Sequence, residues 1–113
     1  MTPNEYQTEA LRTASGIRDD ISVDPIVNCA LGLTGEAGEV ADLVKKYIFQ
    51  GHDLDEEHFA KELGDVLWYV AVGASLKGYS LEQIMEMNIQ KLRDRYPDGF
   101  EAERSLNRAE GDI

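Results

Sequence analysis

The sequence predicts an all-α protein: an antiparallel bundle of four main helices, completed by homo-oligomerisation. Three observations lead there. Four segments repeat apolar residues at helical spacing, and none alternates in the manner of a strand. The connections between the last three segments are only two to six residues long, which makes neighbouring helices antiparallel. At 113 residues the chain fits one domain, and 42% hydrophobic residues can fill a modest core. The domain is expected over residues 1–100, with a charged tail over 101–113 that is a short helix or mobile.

The first helix is expected from about Pro3 to Ala14, where Tyr6, Ala10, Leu11 and Ala14 recur at helical spacing. A polar stretch from Ser15 to Asp24 follows. The second helix should open at Asp24-Pro25, a capping residue followed by proline at the first helical position, and run to Phe49 before Gly51. Gly32, Gly35 and Gly38 fall inside it, each costing roughly 1 kcal/mol relative to alanine. Close approach of another helix or a ligand would account for them, and so would a break near Gly32–Gly35. The third helix begins after Asp53 or Asp55 and reaches Leu76, stopping at Gly78. The fourth opens at Ser80-Leu81-Glu82-Gln83, which fits a capping box, and ends near Arg95 ahead of Pro97.

Charge and composition narrow the function classes. Net charge is −11, opposite to the balance of a nucleic-acid binder. A small polyphosphate is still compatible with that charge when a divalent cation bridges it to acidic side chains. No segment approaches the ~20 apolar residues of a membrane span, and no basic, apolar leader is visible. Cys29 is the single cysteine, so no intrachain disulfide forms, and a reducing cytoplasmic setting is expected.

The acidic residues carry the chemistry. On a wheel of ~100° per residue, Phe59, Leu63, Val66, Leu67, Val70 and Ala74 form the apolar arc of the third helix. Glu62 and Asp65 lie on its shoulder, not opposite it. The second helix repeats the arrangement: Leu33, Val40, Val44 and Ile48 make the arc, with Glu36 and Glu39 on the shoulder. Burying the two arcs against each other brings four acids together at the edge of the core. Like charges so placed repel unless they are protonated or acquire a counter-ion. Two ordinary acidic helix faces are the plain alternative. If a metal is the counter-ion, its type follows from the donors. His52 and His58 do not stand three residues after a glutamate, as di-iron bundles require, and zinc normally takes Cys or His. An all-oxygen set favours Mg2+, with Mn2+ as a substitute.

On the fourth helix Asn88, Lys91 and Arg95 share one strip, suited to gripping phosphate oxygens or to pairing with acids elsewhere in the chain. Lys45 and Lys46 fit either a helix C-terminus or a phosphate. Trp68 points about 150° away from its helix's apolar arc by the same wheel, so it is expected at a second interface, a partner subunit ahead of a stacked base. Leu31 and Phe49 also point away, in keeping with self-association.

Gly35-Glu36-Ala37-Gly38-Glu39, then 22 residues, then Glu62-Leu63-Gly64-Asp65, resembles the paired acidic motifs of the MazG-like nucleoside triphosphate pyrophosphohydrolases. Asp65-Val66-Leu67-Trp68-Tyr69, Asn88-Ile89-Gln90-Lys91-Leu92 and Arg95-Tyr96-Pro97-Asp98-Gly99-Phe100 extend the likeness, which covers Leu31 to Phe100. The resemblance implies magnesium held by Glu36, Glu39, Glu62 and Asp65. It implies hydrolysis between the α- and β-phosphates, giving a nucleoside monophosphate and pyrophosphate; within that set Glu39 and Glu62 are the candidates for catalytic roles. Asn88, Lys91 and Arg95 match positions expected to meet the polyphosphate, Lys46 is a further phosphate candidate from its own place in the sequence, and Trp68 and Tyr69 are candidates for the base. The implied assembly is a homodimer or a dimer of dimers. One departure stands out: the family's first motif often has adjacent glutamates, and here the first position is Gly35. Three other readings remain open: phosphoribosyl-ATP pyrophosphohydrolysis, nucleotide binding without hydrolysis, and a helical dimerisation module.

Overall fold

The structure, a computed structural model, describes every residue from Met1 to Ile113 and contains helices and no strands. The elements are α1 (Pro3–Leu11), α2 (Ser15–Arg18), α3 (Pro25–Phe49), α4 (Glu56–Leu76), α5 (Leu81–Arg95) and α6 (Ala102–Leu106). They divide into two compact units, Met1–Leu81 and Glu82–Ile113.

In the first unit, local chemistry sets each helix end. Thr2 and Glu5 form a reciprocal capping box on α1, each side chain accepting the other's backbone N–H at 3.1 Å. The sequence Thr2-Pro3-Asn4-Glu5 carried that signal, and the expected helix ran on to Ala14, whereas α1 stops at Leu11. The polar stretch that follows holds one further helical turn, α2, which buries Ile17. The Asp24 carboxylate accepts the Ile26 N–H at 3.0 Å and starts α3, which passes unbroken through Gly32, Gly35 and Gly38. Asp55 caps α4 by accepting the His58 N–H at 3.0 Å. At its other end Gly78 adopts a φ of 81°, open to glycine without strain. There the Tyr79 N–H reaches Ala74 O at 2.9 Å and the Gly78 N–H reaches Ser75 O at 3.1 Å, a paired closure of the last turn.

The α3 and α4 helices pack antiparallel. Cys29 near the start of α3 donates its thiol to Tyr69 O at 3.1 Å, while Glu36, two turns on, meets Glu62 and Asp65. Two glycines allow the close approach: a Cβ on Gly32 would overlap the Tyr69 ring, and one on Gly73 would lie 2.9 Å from Cys29 Sγ. Nothing stands within 4 Å of a Cβ at Gly35 or Gly38, and packing gives no reason for either.

A second face of α4 is covered by α1. Ala10, Ala71 and Leu81 are buried there, with Tyr6, Trp68 and Val70 packed against them. Buried Gln7 fastens the joint: its Nε2 donates to Ala71 O and Tyr79 O, and its Oε1 accepts the Leu81 N–H, all at 3.0 Å. Here the structure corrects the expectation for Trp68. Its indole N–H donates to Ala10 O at 3.1 Å and Thr13 Oγ1 at 2.9 Å, so the chain's own core takes it. A wheel with one apolar arc has no place for a helix buried on two faces. The arcs themselves close only in part, because Leu63 (47% exposed), Leu67 (42%) and Ile48 (60%) stay open to solvent.

In the second unit, α5 and α6 are joined by a turn in which the Tyr96 and Phe100 rings stand 5.2 Å apart. The expected tail thus contains a short helix, α6. No helix of either unit is long and apolar enough to cross a membrane.

Candidate metal centre

The antiparallel pairing of α3 and α4 puts two acidic turns side by side. On α3, Glu36 follows Gly32 and Leu33 along the face that meets α4, so its carboxylate is carried to the edge of the contact. On α4, Glu62 and Asp65 sit three residues apart on the facing shoulder. One oxygen from each of Glu36, Glu62 and Asp65 falls within 4.8 Å of the others. Glu36 and Glu62 are half-buried and Asp65 is exposed, which places the group at the rim of the helix pair.

Glu39, the fourth expected acid, is exposed one turn further along α3 and lies outside that group. Its charge still reaches Glu36. Burial first, then the charges of Asp65 and Glu62, push the Glu36 carboxyl above its usual range. Glu62 is also close enough to Glu36 to share a hydrogen bond, which again favours a proton on Glu36. The Tyr6 hydroxyl of α1 is pushed up too, by burial and by the charge of Asp65.

None of the three acids forms an ion pair with a lysine or arginine. Lys45 and Lys46 both bond Asp42, at 3.3 and 2.8 Å, and Lys61 pairs with Glu57. The one basic side chain at the cluster is His58, a turn before Glu62, whose Nε2 donates to Glu62 Oε1 at 3.0 Å. The His58–Glu62 spacing of four residues carries that signal in the sequence. Clustered carboxylates, partly withdrawn from water and lacking cationic partners, fit a hard divalent cation bound through oxygen. Zinc or a di-iron centre would need nitrogen or sulfur donors that the three acids do not supply.

The sequence model of the MazG nucleotide pyrophosphohydrolase domain matches residues 27–100, a span that begins in α3 and takes in every acid of the cluster. The chain belongs to the MazG family. The Gene 37 protein of Mycobacterium phage L5 is 35% identical over 100 residues, covering 83% of this chain and 88% of that protein. No solved structure gives a significant match.

The other residues singled out in this MazG chain have varied surroundings. Lys46 is held by Asp42, whose hydrogen bond raises the ammonium pKa, with a smaller contribution from Glu39. Tyr69 rests its ring on Gly32 and stands edge-on to Trp68, with ring centroids 4.8 Å apart. In the second unit Asn88 and Lys91 are exposed on α5. Arg95 is not: its side chain is 10% exposed and forks onto the Asp112 carboxylate through two 2.8 Å bonds. Of the two uses weighed for that strip, Arg95 has the one in which it pairs with an acid of its own chain.

Proposed function

We propose that this MazG chain hydrolyses a nucleoside triphosphate between its α- and β-phosphates, yielding a nucleoside monophosphate and pyrophosphate. The observation that carries the reading is the Glu36–Glu62–Asp65 cluster, three acids without a lysine or arginine partner inside the span of the family match. These residues would hold Mg2+, or Mn2+ in its place, with Glu39 joining from the next turn of α3. When bound, the cation supplies positive charge to the polyphosphate and so lowers the barrier to displacement at phosphorus. Glu39 and Glu62 are the acids assigned to orient the attacking water toward the α-phosphorus, from which pyrophosphate leaves. His58 holds one Glu62 oxygen and thereby fixes the direction of the other.

Lys46, Asn88, Lys91 and Arg95 are assigned to the phosphates, and Tyr69 is the candidate for the base, since Trp68 is engaged by Ala10 and Thr13. The exposed apolar residues Leu31, Ile48, Phe49, Leu63 and Leu67 support a homodimer or dimer of dimers, completing the four-helix bundle. A cytoplasmic setting accords with the single cysteine and the acidic surface.

The reading is tested by assaying Glu39→Ala and Asp65→Ala against a panel of canonical and damaged nucleoside triphosphates and phosphoribosyl-ATP. Both variants should keep their helical content and lose magnesium-dependent pyrophosphate release; undiminished turnover in both would remove the proposal. Gly35 and the outlying position of Glu39 favour a second reading, nucleotide binding without hydrolysis. Tight retention of a triphosphate with no product would select it.

A further inference from the structure

The Arg95–Asp112 pair differs from every other lysine or arginine ion pair in the chain. The others join residues three or four apart and are well exposed. This one spans 17 residues, with side chains 10% and 14% exposed. Asp112 presents both oxygens to Arg95 Nε and Nη2, at 2.8 Å each. That bidentate fork is the geometry in which guanidinium also takes a phosphate group. The Arg95 hydrogen bond above all, then the more distant charges of Arg108 and Lys91, hold Asp112 below the usual carboxylate range.

The segment that delivers Asp112 has little else to hold it. Residues 107–111 are exposed, and the turn that presents Asp112 relies on Gly111 at φ 84° and on the Asp112 N–H bonded to Ala109 O at 3.1 Å. Between α5 and residues 109–113 lies a cavity of about 560 Å³, lined by Gln90, Lys91 and Asp94 on the helix side. Its size is within the range that accepts small ligands.

We propose that the Asp112 carboxylate is an internal stand-in for phosphate, so that a polyphosphate takes Arg95 and Lys91 only by displacing residues 107–113. The segment then works as a self-inhibitory latch on an anion site of the second unit. The inference rests on the assignment of Arg95 and Lys91 to phosphates made above. A closed latch lowers apparent affinity by the fraction of molecules that are open, and removing the internal anion abolishes that loss.

Inorganic tripolyphosphate, without metal, is the probe. It is titrated calorimetrically into the full chain, Asp112→Asn, and Asp112→Asn combined with Arg95→Gln. Asp112→Asn should bind about tenfold tighter or better, a gain of roughly 1.4 kcal/mol, and the double variant should lose the gain. In the unaltered chain, tripolyphosphate should also speed tryptic cleavage after Arg108, a readout that needs no variant to fold. Equal affinity of the unaltered chain and Asp112→Asn, or cleavage unmoved by saturating tripolyphosphate, overturns the latch. Pyrophosphate release from nucleotides is scored separately. Normal release with no affinity gain removes the latch alone. A gain in a chain that releases none upholds the latch and removes the hydrolase reading.

Discussion

Glu36 holds its charge at a cost, because its neighbours are Glu62, Asp65 and, further off, Glu39. An acid whose folded pKa lies above its unfolded value stabilises the fold below the unfolded pKa, and that contribution is lost as pH rises through the folded one. The window therefore opens near the ordinary value of 4.5 and extends upward. Without metal, the protein should melt progressively lower as pH rises through that window, and Glu36→Gln should flatten the trend. With Mg2+ at a hundred times its dissociation constant, binding should add about 2.7 kcal/mol to the unaltered protein and far less to the variant. Melting curves with and without Mg2+ across pH 4–8 check this, and a Glu36→Gln protein that gains as much from Mg2+ would contradict it. Gln7 makes a different residue-scale claim. Replacing it with leucine strands the Tyr79 carbonyl and the Leu81 N–H in the core, at a cost of roughly 2–3 kcal/mol, readable as a lower denaturant midpoint. Gln7 could have been found in advance, since it lies on the same helical stripe as Ala10 and Ala14. Arg95 could not have been paired from sequence, because Asp112 is one of 22 acidic residues and lies 17 positions away.

At the scale of elements, the helices were readable because their ends carry specific chemistry. Asp24 before Pro25, Asp55 ahead of Glu56 and Gly78 after Leu76 mark boundaries that hold in the structure. The acidic shoulders were readable too, since helical spacing fixes which residues share a face. The partners of each face were less so. Trp68 was misjudged because α1, a helix of nine residues, covers a second side of α4 that no single arc reveals. The glycines of α3 separate in the same way. Gly32 belongs to the contact with Tyr69, so Gly32→Ala should destabilise by about 1–3 kcal/mol and disturb the α3–α4 approach that sets the acid cluster. Gly35 faces open space, so Gly35→Ala should be neutral or stabilise by up to roughly 1 kcal/mol. Urea unfolding of the two variants distinguishes them, and a larger loss at Gly35 would refute this account of the helix pair.

For the whole molecule, a core built on Ala10, Ala71, Val72 and Leu81 leaves much larger side chains outside it. Leu31, Phe49, Leu63 and Leu67 are all exposed, a pattern that association between copies would relieve. Sedimentation should therefore show a dimer or dimer of dimers at micromolar concentration, reduced to monomer by Leu63→Glu with Leu67→Glu. A monomeric unaltered protein would be incompatible with the proposed assembly. The acidic shoulders were legible because helix period defines a shared face, and the family because the paired motifs from Gly35 to Asp65 resemble its own. The assembly was not, because one chain's sequence shows which side chains are left over without showing what covers them. The central claim remains the chemistry assigned to Glu36, Glu62 and Asp65, and the most direct test follows the water oxygen. A nucleoside triphosphate substrate is turned over with Mg2+ in H₂¹⁸O, and the label is located in the products by mass spectrometry. The account predicts one ¹⁸O in the nucleoside monophosphate, unlabelled pyrophosphate, and loss of turnover by roughly a hundredfold or more in Asp65→Ala. Label in orthophosphate or pyrophosphate, or full turnover in that variant, would contradict it.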